Sequence, residues 1–499
     1  MVLSFPNFNL WGFAWFGFVP LFFALQNKGS LQRFFISYLT GIIFFLGVIW
    51  WLYHVSILGL ILLILYSAIY FGIFGLFIRS YLLSTTYSLF FIPSFWVLLE
   101  YLRSHLFTGF GWGLLGYSQY LNLTLIQISD ITGVWGVSFF MMMTNTVIYG
   151  LIKDFRLVFA VHHLPKSEVI ATRYTLYARR YLLVFILFIV IWGYGFFRLS
   201  RYTDDKSKLK VSVIQGNIPQ EIKWEREARE FILDRYLDLT LKAAEDCPNL
   251  IIWPEAAYPE ALTYIDKKDR LIVEDFVEEK KIPLLLGVVI REDRRYFNSA
   301  VLIEPDKRIS QRYDKLHLVP FGEYIPLKKI FGFLETVYPI GDFTSGKEYK
   351  IFILTTDYHL LPTKFSVLIC FEDIFPEISR RFARKGADFL VVITNDAWFG
   401  KSSAPYQHLQ ASVFRAIENK KFLARVANTG VSCFITPKGE IISKVSRDKE
   451  DIFISGYRTE EVFLKKRSLT LYTRFGDYFV LLCLIIFSWG IIRYRLYGI

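Results

Sequence analysis

The chain lacks charge where it begins. No Asp, Glu, Lys or Arg precedes Lys28, so the basic n-region of a secretory signal is missing and no cleavable signal peptide is expected. Cysteine is scarce: Cys247, Cys370, Cys433 and Cys483 are the only four in 499 residues. That excludes a disulfide framework in a chain of this size, although a Cys247–Cys433 bridge stays open. Charged residues make up only 20% of the sequence, and 57 Lys and Arg against 45 Asp and Glu leave a net +12. The basic residues are scattered and no nucleic-acid-binding motif accompanies them. The excess therefore reads as membrane-side loops plus an ordinary domain surface, not as a nucleic-acid footprint. Repeats and low-complexity segments are absent. His162-His163 has no further ligand at metal spacing, so no metal site is expected there, and no residue cluster suggests a nucleotide or other cofactor.

Apolar sequence is what the chain has in abundance, with 54% hydrophobic and 18% aromatic residues. Runs long enough to span a bilayer fall at roughly Phe8–Leu25, Phe34–Tyr53, Ser56–Ile78, Thr85–Leu102, Val134–Ile152, Tyr181–Phe197 and Gly476–Ile492. Three domains are expected: a bundle of about six spans over residues 1–200, a hydrophilic α/β domain over 206–470, and a C-terminal transmembrane helix over 476–494. The connections at Lys28/Arg33, Arg79 and Lys153–Arg180 and the tail at Arg493/Arg495 carry the short-loop Lys/Arg excess. They are expected in the cytoplasm, with the hydrophilic domain on the outer side. Between the fourth and fifth spans, the Gly- and aromatic-rich segment Thr108–Gln119 reads either as an opening for a lipid or as an ordinary aromatic-belt loop. Glu100 and Arg103, near the end of a span, are expected to pair or to snorkel to the surface.

In the hydrophilic stretch the pattern changes. Lys210–Ile214, Leu250–Trp253, Leu284–Ile290, Phe365–Cys370 and Phe389–Thr394 are apolar runs of strand length. Arg226–Glu245 and Tyr406–Val426 have helical spacing with mixed charge. The alternation predicts a layered α/β domain. Three of its loops carry unusual polar residues. Glu255 directly follows the buried run Ile251-Ile252-Trp253-Pro254, where desolvation favours a working base. Lys315 and Glu323 lie in the proline-stiffened stretch Tyr313–Pro326. Cys370 ends a core strand and is followed by Phe371 and Glu372, where backbone N–H groups can receive an oxyanion. Together the three supply a base, a fixed cation and a nucleophile, the set acyl transfer needs. Singly, each also fits a turn cap, a solvated charge or a small core hydrophobe.

The order WPE, YDKLHLVPFGEYIP, CFE and NDAWFG resembles the nitrilase (carbon–nitrogen hydrolase) superfamily. With apolar spans on both sides, with Gln215–Gln220 and Lys223-Trp224, and with the TGFGW and GYSQ segments, the resemblance narrows to the apolipoprotein N-acyltransferase family. It covers nearly the whole chain. It implies a nitrilase-like αββα sandwich joined to a polytopic helical membrane domain. By resemblance Glu255 is the general base, Lys315 the oxyanion-stabilising cation and Cys370 the nucleophile. Trp224, Glu323, Phe371, Glu372, Asn395 and Trp398 are the supporting or substrate-binding positions. The implied reaction passes an acyl chain from a glycerophospholipid, through a thioester on Cys370, to the α-amine of an S-diacylglyceryl-cysteine at a lipoprotein N-terminus. The implied setting is the bacterial inner membrane, with the catalytic domain on the periplasmic side, no cofactor and a monomeric chain. Two departures stand out. Phe371 stands where the family commonly has Tyr, and the chain reads as starting at the family's second span, through real shortening or a misassigned start codon. The competing readings are a membrane-tethered amidase, with water as acceptor, and a non-catalytic scaffold with a dead nitrilase domain. The apolar stretch Leu327–Tyr338 is expected to form a lid or to dip into the bilayer edge, its alternative being a core helix.

Overall fold

A computed structural model describes residues 1–78, 87–161, 168–201, 207–262, 267–306, 309–326, 328, 342–355, 362–464 and 469–497, with the backbone alone given for 156–161, 168–180, 267–272 and 494–497. The chain divides into two compact units, Met1–Tyr202 with Phe475–Ile499, and Thr203–Arg474.

Among the described residues of the first unit, four helical stretches are long and apolar enough to cross a membrane: Ser30–His54, Ile57–Phe77, Val134–Phe155 and Tyr181–Ser200. Trp11–Ala24 and Tyr478–Arg493 are apolar but shorter. The chain is a membrane protein. The expected span Phe8–Leu25 is instead a 3-10 turn, Trp11–Trp15, followed by a six-residue helix, Val19–Ala24. Gly12, Gly17 and Pro20 explain the break, because each weakens or starts a helix and none continues one. The helix answering to Thr85–Leu102 runs Ser88–His105 with Pro93 inside it, and residues 85 and 86 lie outside the described residues. The broad cytoplasmic connection expected at Lys153–Arg180 is largely helical, since Val134–Val161 and Glu168–Ser200 run up to it from both sides; Arg79 and His162-His163 lie outside the described residues. Arg33 is not a loop charge. It is buried within the helix Ser30–Ile49 and donates to the carbonyls of Lys28, Gly75 and Leu76, capping the end of the neighbouring helix.

Glu100 and Arg103 do not snorkel either. Both are buried. Glu100 Oε1 accepts the Leu115 N–H at 2.7 Å, and Arg103 donates to the Phe110 and Trp112 carbonyls, each at 2.7 Å. They hold the Gly-rich segment against the helix that bears them, which satisfies backbone groups that lipid cannot.

The second unit is built on two sheets. The first contains β1 (Lys208–Gln215), β2 (Leu250–Ile252), β3 (Ala261–Leu262), β4 (Leu284–Glu292), β5 (Arg295–Ile303) and β6 (Ile309–Asp314). The second contains β7 (Phe352–Leu354), β8 (Thr363–Ile369), β9 (Phe389–Thr394), β10 (Phe422–Ala427), β11 (Cys433–Ile435) and β12 (Ile441–Lys444) in sequential order, after which β13 (Gly456–Phe463) returns to the first sheet and pairs antiparallel with β1. Strand β8 pairs parallel with β9, and β9 with β10. All six residues of both β9 and β10 are buried, as strands covered on both faces must be. The sheets meet where β1 faces β10 and β5 faces β8. Helices cover the outside. Ile232, Leu233, Tyr236 and Leu239 of the helix Arg229–Ala244 join Val273, Phe276 and Val277 in the core against the first sheet, and the helices Pro376–Arg384 and Ala404–Asn419 lie on the second. The result is the helix–sheet–sheet–helix layering of a nitrilase-like domain.

One expected helix is shorter than its spacing suggested. Tyr406–Val426 stops at Asn419; Lys420 turns left-handed (φ 49°), and the chain re-enters as strand β10. The expected Arg226–Glu245 helix is observed over Arg229–Ala244. No Cys247–Cys433 bridge forms: Cys247 is exposed, Cys433 is buried, and all four cysteines are free thiols. The lid expected at Leu327–Tyr338 lies outside the described residues apart from Lys328, which pairs with Asp342 at 3.4 Å.

Candidate active site

Strands β2, β6 and β8 each end at one of the polar loops singled out above. Cys370 follows β8 directly and opens the 3-10 turn Cys370–Ile374 with a left-handed φ of 52°. For a side chain with a Cβ that conformation costs roughly 1–2 kcal/mol, and it persists because the turn is pinned on every side. Glu372 is fully buried and accepts from the N–H groups of Ile369 (2.7 Å), Leu316 (2.7 Å) and His317 (3.2 Å) and from the Tyr313 hydroxyl (2.8 and 3.0 Å to its two oxygens). One carboxylate thereby fastens the cysteine turn of one sheet to the lysine loop of the other. Burial pushes it up to about 7 despite those donors.

Glu255 follows β2, and Ala256 after it is also left-handed (φ 45°). The turn lies on Gly287 of β4, whose carbonyl accepts the Ala257 N–H at 2.8 Å. A Cβ at Gly287 would stand 2.1 Å from the Pro254 carbonyl oxygen and 2.8 Å from Glu255 Cα. Gly287→Ala is therefore expected to lower stability by about 2 kcal/mol and to slow reaction at Cys370 at least roughly tenfold by displacing Glu255. Thermal unfolding and single-turnover rates check this, and wild-type values for both would show that the turn does not depend on that seat.

Glu255 Oε2 accepts the Asn395 N–H at 2.8 Å, and Oε1 accepts from Asn298 Nδ2 at 2.8 Å. Asn298 Nδ2 donates also to Glu323 Oε1 at 2.7 Å. Lys315 Nζ lies 3.6 Å from Glu255 Oε1 and 3.0 Å from Glu323, and its side chain is 1% exposed. Burial opposes its charge, but Glu323 and Glu255 more than offset that and hold the ammonium above its ordinary range. Glu323 is fixed in turn by the Val319 N–H at 2.7 Å. The Cys370 thiol is pushed well above the usual range, first by burial and then by the Glu255 carboxylate, against the pull of Lys315. Cys370 is thus held as a thiol, with the Glu255 carboxylate among the charges acting on it.

Of the remaining sequence-stated positions, Asn395 begins the turn after β9 and donates its side chain to Gln220 at 2.8 Å. Phe371 packs edge-on to Phe375, with ring centroids 5.2 Å apart. Trp224 and Trp398 are about half exposed and lie on the loops carrying Lys223 and Asn395.

Comparison with known proteins covers nearly the whole chain. Residues 1–147 match the apolipoprotein N-acyltransferase N-terminal domain, and residues 210–462 match the carbon–nitrogen hydrolase family. An apolipoprotein N-acyltransferase from Geobacter metallireducens is 36% identical, covering 97% of this chain and 91% of that protein. The chain belongs to the apolipoprotein N-acyltransferase family. Relatives of the same description from Wigglesworthia glossinidia brevipalpis and Pasteurella multocida are each 30% identical, over 97% and 99% of this chain and 95% and 94% of theirs. Among solved structures, Saccharomyces cerevisiae Nit3, a member of branch 10 of the nitrilase superfamily, aligns at 18% identity over 52% of this chain and 93% of that one, with a TM-score of 0.39.

Within this family member, two residues at the site had escaped the sequence reading. Asn298 bridges both carboxylates from the middle of β5, a strand whose start, Arg294-Arg295-Tyr296, looks like a charged loop. Lys223 is 3% exposed and donates to the Glu255 carbonyl at 3.3 Å. Burial pulls its ammonium down to about 8, while Glu255 and Cys370 draw it up. The Lys-Trp pair marked the second of its residues and not the first.

Proposed function

We propose that the chain transfers an acyl group from a membrane glycerophospholipid to the α-amine of the N-terminal diacylglyceryl-cysteine of apolipoproteins, through a thioester on Cys370. One observation carries this reading: a half-buried thiol, a carboxylate and a doubly paired ammonium converge from two sheets in a chain whose other unit is apolar enough to cross a membrane. Glu255 takes the Cys370 proton, and the sulfur attacks the carbonyl carbon of the acyl ester. Lys315 and backbone N–H groups at the Cys370 turn stabilise the oxyanion. The carbon–oxygen bond breaks, Glu255 returns the proton to the departing glycerol oxygen, and lysophospholipid leaves. The acceptor amine then attacks the thioester and gives its proton to Glu255. The carbon–sulfur bond breaks, and the proton passes back to Cys370. Glu323 and Asn298 keep Lys315 and Glu255 in place, and Trp224, Phe371 and Trp398 offer apolar surface to the acyl chains.

The reading places the chain in the bacterial inner membrane with the Thr203–Arg474 unit on the periplasmic side, on the strength of the Lys/Arg excess at Lys28, Lys153 and Arg493. All three reacting groups come from one chain, which suits a monomer. The test is discharge of the isolated acyl-enzyme. A diacylglyceryl-cysteinyl peptide is expected to remove the acyl group roughly a hundredfold faster than buffer alone, with the label recovered as amide, because a dry thioester is protected from water. Discharge by water at the same rate would make the protein a hydrolase.

A further inference from the structure

Behind Cys370 lies a group of charges that the reaction above does not use. His408, on the helix Ala404–Asn419, is 1% exposed. Its Nδ1 donates to Asp396 Oδ1 at 3.0 Å, and its Nε2 lies 2.8 Å from Asp373 Oδ1. The Nε2–H also reaches a third group, the backbone carbonyl of Cys370, at 3.2 Å. Arg425 of β10 closes the ring of charges, donating to Asp373 at 3.0 Å and to Asp396 at 3.2 Å. Ser412 donates to the same Asp373 oxygen as Arg425, and Thr394 to Asp396 at 3.2 Å. Arg415, paired with Glu418, reaches the Asp373 carbonyl at 3.0 Å.

Asp373 belongs to the turn that carries Cys370, and Asp396 to the turn whose Asn395 N–H holds Glu255. Arg425 and His408 each touch both aspartates, and His408 in addition donates to the Cys370 carbonyl. We propose that His408 is a positioning residue for acyl transfer: it ties the nucleophile's turn to the base's turn and fixes the Cys370 peptide in its left-handed conformation. The inference rests on the functional reading above. A carbonyl held from behind orients the peptide unit after Cys370, and with it the N–H available to an oxyanion. Such control acts on the geometry of attack and not on ionisation of the thiol.

The ring is built to stay doubly protonated. Burial opposes its charge, but Asp373 and Asp396 outweigh burial and the repulsion from Arg425, raising it to about 9. Both aspartates are held below the usual carboxylate range, against burial, chiefly by the His408 charge and then by Arg425. The folded-state value lies above the unfolded one, so the histidine's contribution is complete below the ordinary histidine value and is lost as pH rises through about 9.

The experiment compares two reactions of Cys370 in the full-length protein in detergent. One is single-turnover acylation by phosphatidylethanolamine, read as a hydroxylamine-labile mass gain. The other is alkylation by iodoacetamide, read at the Cys370 peptide, which needs a thiolate but no oxyanion donor. H408Q is expected to slow acylation roughly 10- to 100-fold, with phospholipid KM and alkylation each changed less than about threefold. Should H408Q lack a sharp thermal transition, D396N decides, with the same split at roughly five- to tenfold. Acylation within about threefold of wild type, or acylation and alkylation falling by the same factor, overturns the proposal. Wild-type protein that is alkylated but never acylated would overturn the functional reading itself.

Discussion

Cys370→Ala is expected to abolish the acyl-enzyme altogether. Wild-type protein incubated with phospholipid should gain one acyl mass that hydroxylamine removes, and the variant should gain none. Turnover is expected to fall by a factor on the order of 10⁴ or more, since the attacking thiol is gone. The substitution removes a half-buried side chain from a turn held through Glu372 and Asp373, so the fold is expected to survive and the melting temperature to stay close to wild type. A mass gain that persists in the variant would place the nucleophile elsewhere. Lys223 would then be the residue to test, because its buried amine donates to the Glu255 carbonyl.

Lys315→Met is expected to fail in two separable ways. The ammonium sits between two carboxylates, Glu323 at 3.0 Å and Glu255 at 3.6 Å, and is 1% exposed. Removing one member of a buried ionic group leaves uncompensated charge and costs roughly 3–5 kcal/mol. Acyl-enzyme formation is expected to fall on the order of 10³-fold for loss of the oxyanion cation. Adding Glu323→Gln should recover much of the stability, because the amide keeps shape and a donor-acceptor pair without the stranded charge, while leaving acylation just as slow. Denaturant unfolding and single-turnover acylation measure the two effects independently. If Glu323→Gln restored acylation as well, Lys315 would be a structural counter-charge and not part of the chemistry.

The parts of this molecule legible in its sequence are those where local pattern and tertiary need coincide. Strand β9 was readable as Phe389–Thr394 to the residue because both its faces are buried, which makes the run continuously apolar. The same logic exposed the strands leading to Glu255 and Cys370, and each reactive residue stands where an apolar run stops. Strand β10 was hidden by Arg425. A charged residue in a helical-looking run signals a solvated face, yet this one is fully buried, neutralised by Asp373 and Asp396 from 52 and 29 residues away. No local window contains those partners. Asn298 and His408 were missed for the same reason, since their importance lies wholly in contacts with distant loops. Glu100 and Arg103 show the converse. Their charges were noticed and expected to pair or to reach the surface; the surface is not their destination, because the backbone of the Gly-rich segment holds both.

The last strand of the domain has a bearing on how the protein is made. Strand β13 comes from the end of the catalytic unit and pairs over eight residues with β1 at its beginning. Until Gly456–Phe463 has been synthesised, the sheet that supplies Glu255 and Lys315 has an open edge beside β1, and neither residue has a fixed relation to Cys370. A growing polypeptide thus carries Cys370 as an ordinary thiol, without the neighbours that surround it in the finished domain. The closing strand comes last in the unit, so the arrangement around the thiol is completed only when the unit itself is complete.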